Sequence, residues 1–120
     1  MSKSSLVLEL SPVEAAACCS PLTQQPLTQQ QANAVAPLLK ALADPVRLRL
    51  LSLVAAHQDG EACVCDLNGA FDLSQPTISH HLKVLHEAGL LDRQKRGTWV
   101  YYEVRRQALG DLVNLLGGAA

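Results

Sequence analysis

The hydrophobic period of the sequence changes at Gly89, and this change restricts the fold more than any other feature. Before Gly89, apolar residues recur at the spacing of one helix face. They are Ile78, Leu82 and Leu85. After it, residues 90–95 and 98–104 alternate as strands do, with Arg96–Gly97 as the turn between them. Because Gly89 is also a suitable helix stop, we predict a helix followed directly by a two-stranded hairpin.

Earlier helices are predicted from their capping signals. Thr28 can cap a first helix, in which Pro37 predicts a kink or a later start. Asp44–Pro45 is a strong restart signal, a short helix follows over about residues 64–71, and Ser74 caps the longer helix. A last amphipathic helix follows the hairpin. Short helix, turn, longer helix and hairpin is the order of a winged helix-turn-helix, so we predict a mainly α (α+β) fold with a two-stranded β wing.

This order predicts which residues bind DNA. The first turn of the second helix in such a motif enters the major groove, where Gln, Ser and Thr are suitable partners for base edges. The predicted DNA-binding residues are Ser74, Gln75, Thr77, Ser79, His80 and Lys83 on the helix, and Arg93, Lys95 and Arg96 on the wing, where they would bind phosphates. His81 is expected to face DNA or solvent, and His57 and His86 to be surface groups.

The charge distribution supports this interpretation. The chain has a formal net charge of -1, but residues 74–106 contain six basic and three acidic side chains, a local balance of +3. A basic patch on an otherwise acidic protein indicates a surface that faces a polyanion. No stretch is long enough to span a membrane, and we expect a cytoplasmic protein whose thiols stay reduced.

Cys63 and Cys65 flank Val64 at the start of the short helix. Cys63 occupies the cap position and Asp66 lies three residues later, as in a capping box. A helix N-terminus favours thiolate, the form that binds soft ions. Residues two apart on an ideal helix point about 200° apart. We therefore expect one ion to hold both sulfurs only if this turn is distorted, which would couple ion binding to the DNA-reading helices.

A second pair, Cys18 and Cys19, lies in a segment rich in Ser, Pro and Gln. We predict that residues 1–27 form a flexible arm and that residues 28–120 form the DNA-binding and dimerisation domain. Adjacent cysteines on such an arm can present two sulfurs together. The alternative is an inert pair.

Three segments resemble the ArsR/SmtB family of metal-responsive repressors. They are KALADPVRLRLL at residues 40–51, CVCDL at 63–67 and LSQPTISHHLKVLHEAGLL at 73–91. The match covers roughly residues 36–105. The resemblance implies a homodimeric winged helix-turn-helix that binds operator DNA and releases it when a soft metal or metalloid binds.

The resemblance also implies the ligands. CVCDL is similar to the arsenic-responsive subgroup, whose members use three thiolates, so Cys63 and Cys65 are the expected ligands and Cys18 or Cys19 the third. Trivalent arsenic (arsenite) or antimony fits such a set, while four cysteines would also suit cadmium or lead. The family's zinc site uses His and carboxylates on the last helix, which contains Asp111 and no His, so we do not expect that site.

The first and last helices carry apolar stripes that indicate a homodimer. A chain this short has little domain left to cover both stripes, and pairing them across a two-fold axis would space two recognition helices about one DNA turn apart. The alternative is that both pack within one protomer. The predicted dimer residues are Val35, Leu39, Leu109, Leu112, Val113 and Leu116.

Three classes of function compete. The first is a repressor released by arsenic or antimony, which would derepress a resistance operon. The second is a repressor of the same fold that responds to cadmium or lead, or to thiol oxidation. The third, a small thiol reductase, lacks a Gly-rich loop and a Cys-x-x-Cys motif on a βαβ pattern. We therefore predict that the chain is not an enzyme.

Overall fold

The computed structural model describes residues 21–117, which form five α-helices and three β-strands. In chain order they are α1 (Gln29–Leu42), α2 (Pro45–Ala56), β1 (Glu61–Cys63), α3 (Val64–Leu67), α4 (Gln75–Glu87), β2 (Leu91–Arg96), β3 (Trp99–Val104) and α5 (Arg106–Leu115). Single 3-10 turns cover residues 58–60 and 68–70. No helix in the described range is long and apolar enough to cross a bilayer.

The chain divides into two compact units. The helical unit contains, of the described residues, 21–39 and 106–117, and the central unit contains residues 40–105. In the helical unit the Leu22 amide donates to the Leu115 carbonyl (2.9 Å). The buried apolar residues of this unit are Val35, Leu38, Ala108, Leu112 and Leu115.

The predicted helix caps are confirmed. The Thr28 hydroxyl accepts from the Gln31 amide (3.1 Å), and the Gln31 side chain accepts in return from the Thr28 amide (2.9 Å). The helix begins at Gln29 and continues through Pro37, so a start near the proline was wrong. Asp44 Oδ1 accepts from the backbone amides two and three residues later, at 2.9 and 3.2 Å. A reciprocal cap at Thr28 thus sets the start of α1, and a cap at Asp44 that accepts from two amides sets the start of α2.

The core of the central unit is aliphatic and positions α4. Its completely inaccessible side chains come from α2, α4 and the start of the wing. They are Leu50, Val54, Ile78, Leu82, Leu85, Leu90 and Leu91, and Ala62 of β1 is equally inaccessible. Ser74 caps α4 by accepting from the Thr77 amide (3.4 Å), and Gly89, with a φ of +90°, ends the helix. The predicted inner face of α4 is therefore confirmed.

The wing is an antiparallel hairpin of β2 and β3, extended by a third strand. The strand order is β1-β3-β2, and Arg96 pairs with Trp99 across a two-residue turn. Gly97 occupies that turn with a φ of +64°, which suits glycine. The sequence pattern predicted two strands and missed β1, because three residues are too few to show an alternating period.

Candidate metal centre and nucleic-acid interface

The two cysteines of the central unit meet at the junction of β1 and α3. Cys63 is the last residue of the strand and the N-cap of α3, with extended φ and ψ of -90° and 166°. Its sulfur is joined to that of Cys65 in a disulfide, with the Cα atoms 5.2 Å apart. The 200° separation expected on an ideal helix does not apply here, because Cys63 is extended and precedes the first helical residue.

Asp66 fixes this junction. Its carboxylate accepts from the Cys63 amide (3.0 Å), as the predicted capping box requires. His57 Nε2 lies 3.7 Å from the same carboxylate. The sulfurs of Cys63 and Cys65 and one carboxylate oxygen of Asp66 all lie within 4.8 Å of one another. Cys63 is buried whereas Cys65 is exposed. A ligand from solvent would therefore meet the Cys65 sulfur first.

The donor set fits a soft ion once the disulfide is reduced. Two thiolates held this close together can bind one thiophilic ion. The other predicted ligands, Cys18 and Cys19, lie outside the described residues. The third thiolate therefore stays a prediction.

The predicted DNA-binding residues of α4 share the outer surface of the helix. Gln75, Ser79 and Lys83 follow at four-residue intervals and so lie along one face; Ser79 is half-buried and the other two are exposed. The Ser74 and Thr77 hydroxyls lie 2.9 Å apart and hydrogen-bond each other at the cap. His80 is exposed beside them. This surface offers amide, hydroxyl and ammonium groups to a groove.

A cavity of about 450 Å³ connects the sulfur site to this helix. It is bordered by α3, α4 and β3. Its lining residues include Cys65 and Asn68 on one side, Gln75 and Ser79 on the second, and Trp99 on the third. A group bound at Cys65 would therefore share space with two of the predicted DNA-binding side chains.

Two of the histidines, His81 and His86, make hydrogen-bonding contacts that the sequence did not indicate. His81 is half-buried, and its Nδ1 lies 3.2 Å from Nη1 of Arg47, whose Nε donates to the Ala41 carbonyl (2.5 Å). His86 Nδ1 lies 3.0 Å from the Leu91 carbonyl oxygen. These contacts attach α4 to the start of α2 and to β2. We expected His81 to face DNA or solvent and His86 to be a surface group, and in the structure each is half-buried. The local pattern does not mark the partner of His81, which lies 34 positions away.

The three basic residues of the wing differ in their contacts. Arg93 and Lys95 are exposed, and within residues 21–117 neither makes an ion pair. Arg96 forms a bidentate pair with Glu61 at 2.7 and 3.0 Å. That hydrogen bond holds the pKa of Glu61 below its usual value and raises the pKa of Arg96. Sequence reasoning missed Glu61, because its partner lies 35 positions away.

The predicted dimer residues divide by exposure. Val35 and Leu112 are buried within the chain at 3% and 4% exposure. Leu39, Val113 and Leu116 are 39%, 54% and 48% exposed, and Leu109 is half-buried. Leu39, Val113 and Leu116 therefore have the most surface left for a partner.

Comparison with known proteins places the central unit in one group of regulators. Residues 44–93 match the family model described as "Bacterial regulatory protein, arsR family". The arsenic resistance transcriptional regulator ArsR1 of Pseudomonas putida is 49% identical over 67 residues, which are 56% of this chain and 51% of that protein. The match thus spans about half the length of that relative.

Two further proteins match over more of their length. The arsenical resistance operon repressor of Bacillus subtilis is 39% identical over 75 residues, covering 62% of this chain and 70% of that protein. The crystal structure of the transcriptional repressor BigR from Xylella fastidiosa superimposes with a TM-score of 0.57 and 31% identity, covering 77% of this chain and 92% of that one.

Proposed function

Because the chain belongs to the arsR family of bacterial regulatory proteins, which are transcriptional regulators and not enzymes, we propose that it represses a resistance operon and is released from operator DNA by trivalent arsenic or antimony. In this proposal it binds the operator as a homodimer. The inducer binds the thiolates of Cys63 and Cys65, with Cys18 or Cys19 as the third ligand.

One observation carries the proposal. Cys65 lines the same cavity as Gln75 and Ser79. A ligand that bonds to the Cys65 sulfur changes the space beside the residues we assign to base contacts. The two functions are thus adjacent, and binding of one ligand can oppose binding of the other through direct contact and shared elements.

The outer surface of α4 and the wing supports the DNA half of the proposal. Gln75 and Ser79 offer hydrogen-bonding groups to base edges. Arg93 and Lys95 are exposed on β2 and have no ion-pair partner among residues 21–117, so they can bind backbone phosphates directly. The burial of α4's inner face holds these groups in a fixed orientation, which base recognition requires.

The sulfur site supports the inducer half. Two equivalents of an external thiol reduce the disulfide and leave as their own disulfide, which yields two thiols at the N-terminus of α3. Each thiol then replaces one hydroxide of arsenous acid and releases one water, so that both sulfurs bond to one arsenic atom. Because Cys63 belongs to β1 and Cys65 to α3, such a bond joins the sheet to the helix-turn-helix motif.

The exposed side chains of Leu39, Val113 and Leu116 support the homodimer. They lie on the first and last helices. Burying them in an interface would stabilise the dimer by about 25 cal/mol for each Å² of apolar area removed from water. A two-fold pairing of these helices would also present two copies of α4 to successive turns of the major groove.

A thiol-redox repressor is the second candidate, and the bond between Cys63 and Cys65 favours it. In that case two-electron oxidation of the pair replaces ion binding as the signal. Cadmium or lead as inducer is a third outcome, in which all four cysteines would serve as ligands.

Titration of the reduced protein on DNA distinguishes these outcomes. An operator is first selected from a random duplex library, and its binding is followed by fluorescence anisotropy while arsenite, cadmium, zinc or peroxide is added. We expect release by arsenite at low stoichiometry under reducing conditions. Release by peroxide alone would establish the redox repressor, and release by cadmium but not arsenite would establish the four-cysteine site.

The matched variant is Cys63→Ser/Cys65→Ser. It should bind the operator as tightly as the parent and fail to respond to arsenite, because serine lacks a thiolate. Cys18→Ser/Cys19→Ser tests the third ligand in the same assay. A Cys63→Ser/Cys65→Ser protein that still releases DNA normally would show that the inducer binds elsewhere.

A further inference from the structure

Arg96 is bound to the surface of the sheet by three neighbours. Its terminal nitrogens donate to both carboxylate oxygens of Glu61, and Nη2 also donates to Gln94 (2.9 Å). The guanidinium carbon lies 4.6 Å from the centre of the Tyr101 ring. A bidentate pair fixes a planar guanidinium in one orientation. Arg96 therefore differs from Arg93 and Lys95, since its hydrogen-bonding groups already have protein partners.

The carboxylate that binds Arg96 belongs to an acidic row across the sheet. The strand register places Glu61 opposite Glu103, and Glu103 opposite Asp92. Like charges directly opposite each other destabilise a sheet. Arg96 pairs with Glu61 at one end of the row, and Arg105 pairs with Asp92 at the other (2.6 Å). The protein's own carboxylates thus compete with any external anion for Arg96.

The same short strand carries a sulfur ligand. Glu61 and Cys63 are the first and last residues of β1. Cys63 pairs with Tyr101 of β3, whose ring contacts Arg96. A shift of β1 at its sulfur end would therefore move both the carboxylate and the ring that hold the guanidinium.

We propose that Glu61 is a positioning residue that competes with operator phosphate for Arg96, and that β1 couples this competition to the sulfur site. This inference rests on the proposed function, because it assumes operator binding and thiol-bound inducer. Glu61 lowers operator affinity by holding Arg96. Release of Arg96 would leave the Glu61 carboxylate directly opposite that of Glu103 without a neutralising partner. Arg96 therefore does not leave Glu61 without a cost in free energy.

Neutralising Glu61 should therefore add one phosphate contact. Each phosphate neutralised steepens the dependence of log K on log salt by about 0.9. For Glu61→Gln we expect operator binding that is tighter by about threefold to eightfold near 0.1 M salt, with a slope steeper by about 0.9. Loss of a charge that acts only at long range would change affinity without adding a contact.

The experiment compares Glu61→Gln, Arg96→Ala and the double variant on the selected operator over a range of KCl concentrations. The effect of Glu61→Gln should vanish when Arg96 is alanine. Glu103→Gln is the matched control, since it removes the same charge from the directly opposite position and has no hydrogen bond to Arg96. Equal effects of Glu61→Gln in both backgrounds, or equal effects of Glu61→Gln and Glu103→Gln, would overturn the inference.

Arsenite in the same titrations tests the coupling. Glu61→Gln should show a smaller arsenite-induced loss of operator affinity than Glu103→Gln, because its wing is no longer tied to β1 through Arg96. Equal losses would overturn the coupling. Failure of the parent protein to bind the operator or to respond to arsenite would instead refute the proposed function, so the two failures are distinguishable.

Discussion

Helix α4 and the wing are held in place by different forces. The inner face of α4 is completely buried through Ile78, Leu82 and Leu85, whereas every residue of β2 after Leu91 is exposed. Burial fixes the helix whatever the salt concentration. On the wing, Arg96 is instead oriented by its ion pair with Glu61, a contact that salt screens and that phosphate can replace. If the chain binds DNA as proposed, α4 would give rigid base recognition and Arg96 of the wing adjustable phosphate binding.

The strongest way to break this contrast is to remove a buried side chain of α4. Leu82→Ala should lower the free energy of unfolding by about 2–5 kcal/mol, because it deletes buried methyl groups and leaves a cavity. Urea denaturation followed by circular dichroism measures this. Lys83→Ala, at the adjacent exposed position, should change stability by less than about 0.5 kcal/mol. Similar losses for both would mean that α4 is not positioned by its core face.

Removing the charges of Arg93 and Lys95, which have no ion-pair partner in the part of the chain that the structure describes, should weaken binding without changing the fold. Arg93→Ala/Lys95→Ala should reduce affinity for operator and random DNA alike and flatten the salt slope by about 1.8, two phosphate contacts at ~0.9 each. Anisotropy titrations over a range of KCl concentrations measure both quantities. A loss confined to the operator would show instead that these residues contact bases.

A change on the outer face of α4 should have the opposite signature. Gln75→Ala should cost about 1–3 kcal/mol of discrimination at one base pair and leave the salt slope unchanged. Binding to a set of operators with single substitutions locates that base pair. If the affinity for all sequences fell equally, Gln75 would be assigned to the backbone.

The smallest effect concerns pH and the start of α2. Hydrogen bonding from the Arg47 backbone amide, with smaller contributions from Val46 and the Arg47 charge, holds the pKa of Asp44 below its usual value of 3.8. Because the folded-state pKa lies below the unfolded one, the carboxylate stabilises the fold above the usual pKa, and this stabilisation is lost as pH falls through the folded value.

Asp44→Asn keeps a capping oxygen but does not titrate, so its melting temperature should fall less steeply than that of the parent below about pH 5. Differential scanning calorimetry at several pH values measures this. Asp72→Asn removes an equal charge outside the cap and serves as the control. Parallel curves for the parent and Asp44→Asn would assign the acid sensitivity to other carboxylates.

Features fixed by neighbouring residues were predictable from the sequence, and features fixed by distant ones were not. The caps at Thr28, Asp44 and Ser74 involve partners two or three positions away. They can therefore be predicted from the local sequence. The pairs Arg96–Glu61 and Arg47–His81 join residues 35 and 34 positions apart. Only the folded sheet and the packing of α4 bring these together.

The cysteine pair shows the same limit at short range. Its positions predicted a thiol site at the start of α3, but the direction of the two sulfurs depends on whether Cys63 is helical. The extended backbone of Cys63 is set by its pairing with Tyr101, a strand contact that three residues could not signal.

The chain contains one tryptophan, and Trp99 is 56% exposed at the edge of the cavity that Cys65, Gln75 and Ser79 also line. Its indole emission therefore comes from a single known place, beside both the sulfur site and the recognition helix. A bond from Cys65 to a heavy atom should quench that emission, while docking of α4 against bases should shift its wavelength. The unlabelled protein thus carries its own optical reporter, with which the order of the two events can be timed in a stopped-flow mixer.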